Sequence, residues 1–140
     1  MAVLHAAIDP ADQNGLIGRF YTRWFSFEAS PRDLFPPDMA AQRAAFARAL
    51  SWVYGELVAK RAEEPVAFLA QLGRDHRKYG VLPEHYETLG QALYATLRDE
   101  LAAGWTDAVG SAAEQSLNLI TGVMSGAADA EHGPAWWDGT

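Results

Sequence analysis

Apolar residues recur along this chain every three or four positions, the spacing of a buried helix face, and alternating strand patterns are not seen. Ile17, Phe20, Tyr21 and Trp24 fall within a stripe about 100° wide. That predicts an amphipathic helix opening at Asp9-Pro10, a cap followed by a ring suited to the first turn, and ending near Glu28. Ser30-Pro31-Arg32-Asp33 repeats the start signal, and Phe35-Pro36-Pro37 stops it, because proline has no N–H to continue a helix. From Met39 to about Ala62, Phe46, Leu50, Val53 and Leu57 share a narrow stripe with one polar residue, Gln42. After Glu63-Glu64-Pro65, Leu69, Leu72 and His76 lie at i, i+3 and i+7, and that helix ends at Tyr79-Gly80. Pro83-Glu84 opens the next, with Tyr86, Leu89, Leu93 and Leu97 aligned and Gly90 beside them, a spacing that predicts close approach of another backbone. Thr106-Asp107 opens the last, carrying Val109, Ala113, Leu117, Ile120 and Met124.

Short connections between these stripes predict one all-α domain over residues 1–128. The remainder, 129–140, holds Gly133-Pro134 and the adjacent Trp136 and Trp137 with no period, which reads as a tail or linker bearing a docking surface. At 140 residues and 49% hydrophobic the chain has the length and apolar content for a single core. Its net charge of −7 argues against a nucleic-acid partner, whose affinity rests on cationic side chains displacing counterions. With no secretory signal and no apolar run approaching 18 residues, a cytoplasmic location without a membrane span is expected.

The chain has no cysteine, so a metal here must use His, Asp or Glu. Of four histidines, His5 sits near an end expected to fray and His132 in the tail. His85 lies in a first helical turn. His76 has two readings: a half-exposed residue of the charge run Arg74-Asp75-His76-Arg77-Lys78, or an imidazole on the apolar wall with Leu69 and Leu72. No His-x-x-x-His or Glu-x-x-His pair, phosphate loop or Gly-x-Ser-x-Gly elbow is present. A single neutral histidine on an apolar wall suits a prosthetic group that brings its own metal and needs one axial ligand, as haem does.

The run Leu72-Gly-Arg-Asp-His76-Arg-Lys-Tyr-Gly-Val-Leu-Pro-Glu-His-Tyr86 resembles the proximal segment of bacterial globins of the flavohaemoglobin and Vitreoscilla-haemoglobin type. Phe20-Tyr21 is similar to that family's distal Phe-Tyr pair, and Phe35 falls where its haem-stacking aromatic lies; the likeness runs from about Gly15 to Met124. The resemblance implies a globin fold, a three-over-three helical sandwich around haem b. It implies His76 as iron ligand, Tyr21 as hydrogen-bond donor to bound O2, and Gln42 as the distal glutamine. Phe46 would stand for the usual leucine over the haem, and Leu72, Val81 and Tyr86 would complete the cofactor's surroundings.

Two departures stand beside the likeness. The family's proximal tyrosine, matched by Tyr86, works with a glutamate whose position falls here on Ala128; Asp129 and Glu131 are nearby. Without a carboxylate, His76 would carry less imidazolate character. The first helix also has only about twenty residues before Tyr21, so the usual amino-terminal helix is expected to be trimmed or lost. The implied function is binding of O2 and NO, with nitric oxide dioxygenation when a reductase domain or external donor supplies electrons. FAD and NAD(P)H belong to such a reductase, which is not in this chain, and the tail is expected to lead toward it. The alternatives are a haem-based oxygen or redox sensor, an O2-binding single-domain globin without turnover, and a haem-free helical interaction module.

Overall fold

The computed structural model describes residues 1–11 and 15–129. The tail residues Glu131, His132, Trp136 and Trp137 lie outside the described residues, as do the side chains of Ala128 and Asp129. Six α-helices account for most of the described chain: α1 (Ala2–Ala7), α2 (Leu16–Phe27), α3 (Ala40–Val58), α4 (Glu63–Lys78), α5 (Pro83–Leu101) and α6 (Asp107–Asp129). A 3-10 turn, Ser30–Leu34, links α2 to α3, and another, Ala102–Gly104, links α5 to α6. No strand occurs among the described residues, and no helix there is long and apolar enough to cross a membrane.

The most extensive packing is α4 on α6, followed by α2 on α5 and α5 on α6, while α1 lies on α3. The predicted stripes face this core: Ile17, Phe20, Leu93 and Leu97 are almost wholly buried. Burial of such side chains from several helices is the main source of helical stability, because isolated helices of this length are marginal in water. Tyr54, fully buried in the C-terminal part of α3, has its hydroxyl 2.6 Å from Ser116 Oγ. Ser116 donates its one proton to the Ala113 carbonyl at 3.1 Å, so Tyr54 is the donor of that pair.

Four features depart from the sequence pattern. Asp9 accepts the N–H of Ala11 at 2.9 Å, forming a local turn that holds Asp9-Pro10 outside any helix, and α2 begins at Leu16. The amino-terminal segment is not frayed: α1 buries Leu4 completely and Ile8 follows it into the core, with His5 against Gly55 of α3. Helix α3 ends at Val58 rather than near Ala62, because Lys60 turns left-handed at φ 59 and the Arg61 N–H returns to the Glu56 carbonyl. The close backbone approach is at Gly73, not Gly90. A Cβ on Gly73 would stand 2.3 Å from the Met124 carbonyl oxygen, whereas one on Gly90 would make ordinary contact with the Thr121 methyl at 3.5 Å. Gly73 therefore lets α4 and α6 cross at backbone contact, one turn before His76.

Candidate functional site

Helix α4 carries His76 to its last turn, where the chain stops in a Schellman arrangement. The Val81 N–H bonds to the His76 carbonyl at 3.2 Å and the Gly80 N–H to the Arg77 carbonyl at 3.1 Å. This turn requires Gly80 at φ +92, a conformation that side chains resist. It brings Val81 onto the same cavity wall as His76. The outer face of α4 remains a solvated charge run, with Gln71 bonded to Asp75 and Lys78 within 3.9 Å of Asp75. Both sequence readings of this segment thus hold geometrically: the charges face water while the half-buried imidazole turns inward.

Burial lowers the proton affinity of His76 below the ordinary imidazole value, against the opposing effects of its hydrogen bond to the Leu72 carbonyl and of Asp75. The carbonyl occupies one ring nitrogen as acceptor and fixes the tautomer, leaving the other nitrogen's lone pair for a metal. Tyr86, ten residues on, has its hydroxyl buried and, among the described residues, without a hydrogen-bond partner, and burial pushes its phenol up to about 12.

Helices α2 and α3 build the facing wall from rings. Tyr21 meets Phe46 edge-on at 5.6 Å and Phe35 edge-on at 5.8 Å, while Phe20 stacks on Phe46 at 5.1 Å. Gln42 Nε2 donates to Tyr21 Oη at 3.2 Å. Burial pushes the Tyr21 phenol well above its ordinary value, outweighing Gln42 and the nearby charge of Arg43. It is a neutral donor throughout the physiological range, and among the described residues its own proton meets no acceptor.

Between these walls lies a small cavity of about 100 Å³ that opens at a mouth. Tyr21, Phe35, Gln42, Phe46, Leu72, His76, Val81 and Tyr86, the eight residues singled out from sequence, all line it. The lining is almost entirely apolar, with the imidazole, the phenol and the Gln42 amide among its few polar groups. Phe35, Gln42, Asp75, His76 and Lys78 also border its mouth.

Sequence reading assigned no cavity role to several other lining residues. His85 is buried in the wall, its Nδ1 accepting the Leu82 N–H at 3.0 Å and its Nε2 lying 3.5 Å from Ser30 Oγ. Its place in a first turn was visible; its burial depends on the 3-10 turn folding over it. Trp24 lines the cavity and anchors its indole N–H on Thr88 Oγ1 at 3.0 Å. Ile120, Thr121 and Met124 close the far side from α6, two of them recognisable beforehand as stripe residues.

Helices packed α2 on α5 and α4 on α6, enclosing an apolar cavity with His76 on one wall and Tyr21 on the facing one, are the architecture of a globin. The globin family profile matches residues 18–124, and the chain belongs to the globin family, with an all-α globin fold. Among its relatives, the flavohemoprotein of Bacillus subtilis (strain 168) is 26% identical over 129 residues, covering 89% of this chain and 32% of that protein. That of Rhizobium meliloti (strain 1021) is 27% identical over 114 residues, covering 79% and 28%, and that of Chromobacterium violaceum 25% identical over 152, covering 97% and 36%. The chain spans about a third of the length of these curated relatives.

Proposed function

We propose that the cavity holds haem, with His76 as the side chain that would bind its iron, and that the chain binds O2 and NO there. Joined to or supplied by an electron donor, it would serve as the globin part of a nitric oxide dioxygenase of the flavohaemoglobin kind. The observation that carries this reading is the pairing, on one apolar cavity, of a neutral imidazole tied to the Leu72 carbonyl with a Tyr21 hydroxyl whose proton is free. When bound, haem supplies an iron that takes diatomic ligands and cycles by one electron.

The residues divide the remaining work. His76 presents a lone pair held by the helix C-terminal turn, and its carbonyl acceptor polarises the ring less than a carboxylate would. Through that carbonyl His76 has modest donor strength. Tyr21 donates a hydrogen bond to a polar diatomic ligand, a preset dipole in a dry site where such bonds are stronger than in water. Gln42 fixes the phenol by donating to its oxygen, so the phenolic hydrogen is the one left to point at ligand. Phe35, Phe46, Leu72 and Val81 exclude water from the cofactor faces.

Two measurements test the proposal. Purified protein titrated with haemin should bind one equivalent and show a Soret band that responds to CO once reduced. Supplied with NADH and an FAD-containing reductase, it should convert NO and O2 to nitrate over many turnovers. Ligand binding without turnover would favour the sensing or simple O2-binding alternatives, and no haem uptake would leave the interaction-module reading.

A further inference from the structure

The loop that carries Phe35 to the cavity mouth is short of backbone donors. Pro36 and Pro37 have no N–H, so the carbonyls of Phe35, Pro36 and Pro37 lack the neighbouring donors that an ordinary loop supplies. One side chain serves all three. Arg32 Nη1 donates to Phe35 O at 3.2 Å and Pro36 O at 3.0 Å, and Nη2 donates to Pro37 O at 3.1 Å. The Phe35 N–H returns to the Arg32 carbonyl at 3.2 Å, closing the same loop through the backbone. The guanidinium also lies over the Phe25 ring, 5.7 Å from its centre. Thus clasped, Phe35 is wedged among Tyr21, Trp24 and Phe25 at 5.8, 6.0 and 5.9 Å.

We propose that Arg32 is a positioning residue for the cavity: with Pro36-Pro37 it forms a clasp that holds the Phe35 ring at the mouth and so governs how long a bound group stays inside. Only a planar fork of several donors fits this task. A lysine ammonium is a compact point charge and cannot span three carbonyls in fixed geometry. The retention half of the proposal rests on the haem reading; the positioning of Phe35 does not.

The test uses the whole chain with fluorine-labelled phenylalanine, the Phe35 resonance being the one that Phe35→Leu removes. Wild-type protein should show one narrow Phe35 signal. Arg32→Ala should broaden or split it while the signal of Phe27, which does not line the cavity, holds, and millimolar guanidinium should restore it. Arg32→Lys should behave like Arg32→Ala and is the variant to read if the alanine protein does not fold. In the second arm, transfer of haem from the loaded protein to an excess of a scavenging apoglobin should be roughly tenfold faster in either variant, a loss on the scale of one charge-assisted hydrogen bond. An unchanged Phe35 signal in the variants overturns the proposal, and so does an unchanged haem-loss rate. If wild-type protein takes up no haem, the haem reading has failed, and the fluorine arm still decides whether Arg32 places Phe35.

Discussion

Gln42 on α3 reaches back 21 positions to Tyr21 on α2, its Nε2 donating to the phenol oxygen at 3.2 Å. Because the amide already supplies a proton to that oxygen, the phenol's hydrogen is available to the cavity. The pair behaves as one unit, a donor and the group that aims it.

Removing the donor should therefore release ligand faster. Tyr21→Phe keeps the ring packed against Phe46 and Phe35 but deletes the hydroxyl. A hydrogen bond to a group bearing partial charge is worth about 1.5–3 kcal/mol, so O2 dissociation should speed roughly ten- to hundredfold, read by stopped flow. Gln42→Leu should give a smaller acceleration in the same direction. Rates equal to wild type in both variants would show that Tyr21 does not face the ligand.

Gly73 predicts a stability effect instead. In Gly73→Ala the added Cβ meets the Met124 backbone at 2.3–2.9 Å, and no flexible side chain can yield there. Overpacking costs about 1–3 kcal/mol, against which alanine's helix preference returns up to about 1 kcal/mol. A lower urea midpoint is expected for Gly73→Ala, whereas Gly90→Ala should be neutral or stabilising, since its Cβ makes only ordinary contact.

That contrast shows where sequence reading ends. Gly73 and Gly90 both sit beside an apolar stripe, and nothing in their local sequence ranks them; only the crossing of α4 over α6 does. The stripes were legible because burial of one face imposes the helical period over many residues. The start of α2 was not, since Asp9 bonds to its own backbone two residues on as readily as it caps a helix. That the eight site residues would share one cavity was implied by the family resemblance and not by the stripes alone, since Phe35 lies in none of them. His85 was missed in the site because its burial depends on the 3-10 turn, whose signal said where it starts and not what it covers.

Ser116 and Tyr54 offer a test of the core away from the cavity. Ser116→Ala leaves the Tyr54 hydroxyl buried without an acceptor and should cost about 1–3 kcal/mol. Tyr54→Phe removes the polar group together with its bond and should cost less. Equal losses, measured by denaturant unfolding, would contradict the assignment of Tyr54 as donor.

His76 also makes a pH prediction for the haem-free protein. Its folded proton affinity is lowered, chiefly by burial, so below an ordinary imidazole pKa of about 6.5 the unfolded chain binds a proton that the folded chain resists. This contribution to stability is complete above that range and declines as pH falls through it. His76→Gln should flatten the fall in urea midpoint between neutral and mildly acidic pH relative to wild type. An identical slope in both proteins would show that His76 is not desolvated.

The most direct test of the account is the absorption spectrum of His76→Gly beside wild type, each purified and given one equivalent of haem. Wild type should show a histidine-ligated globin spectrum, ferric and ferrous, and the variant should lose it and recover it when imidazole is added to fill the space left behind. A variant with wild-type haem affinity and an unchanged ligation spectrum would contradict His76 as the ligand and, with it, the proposed site.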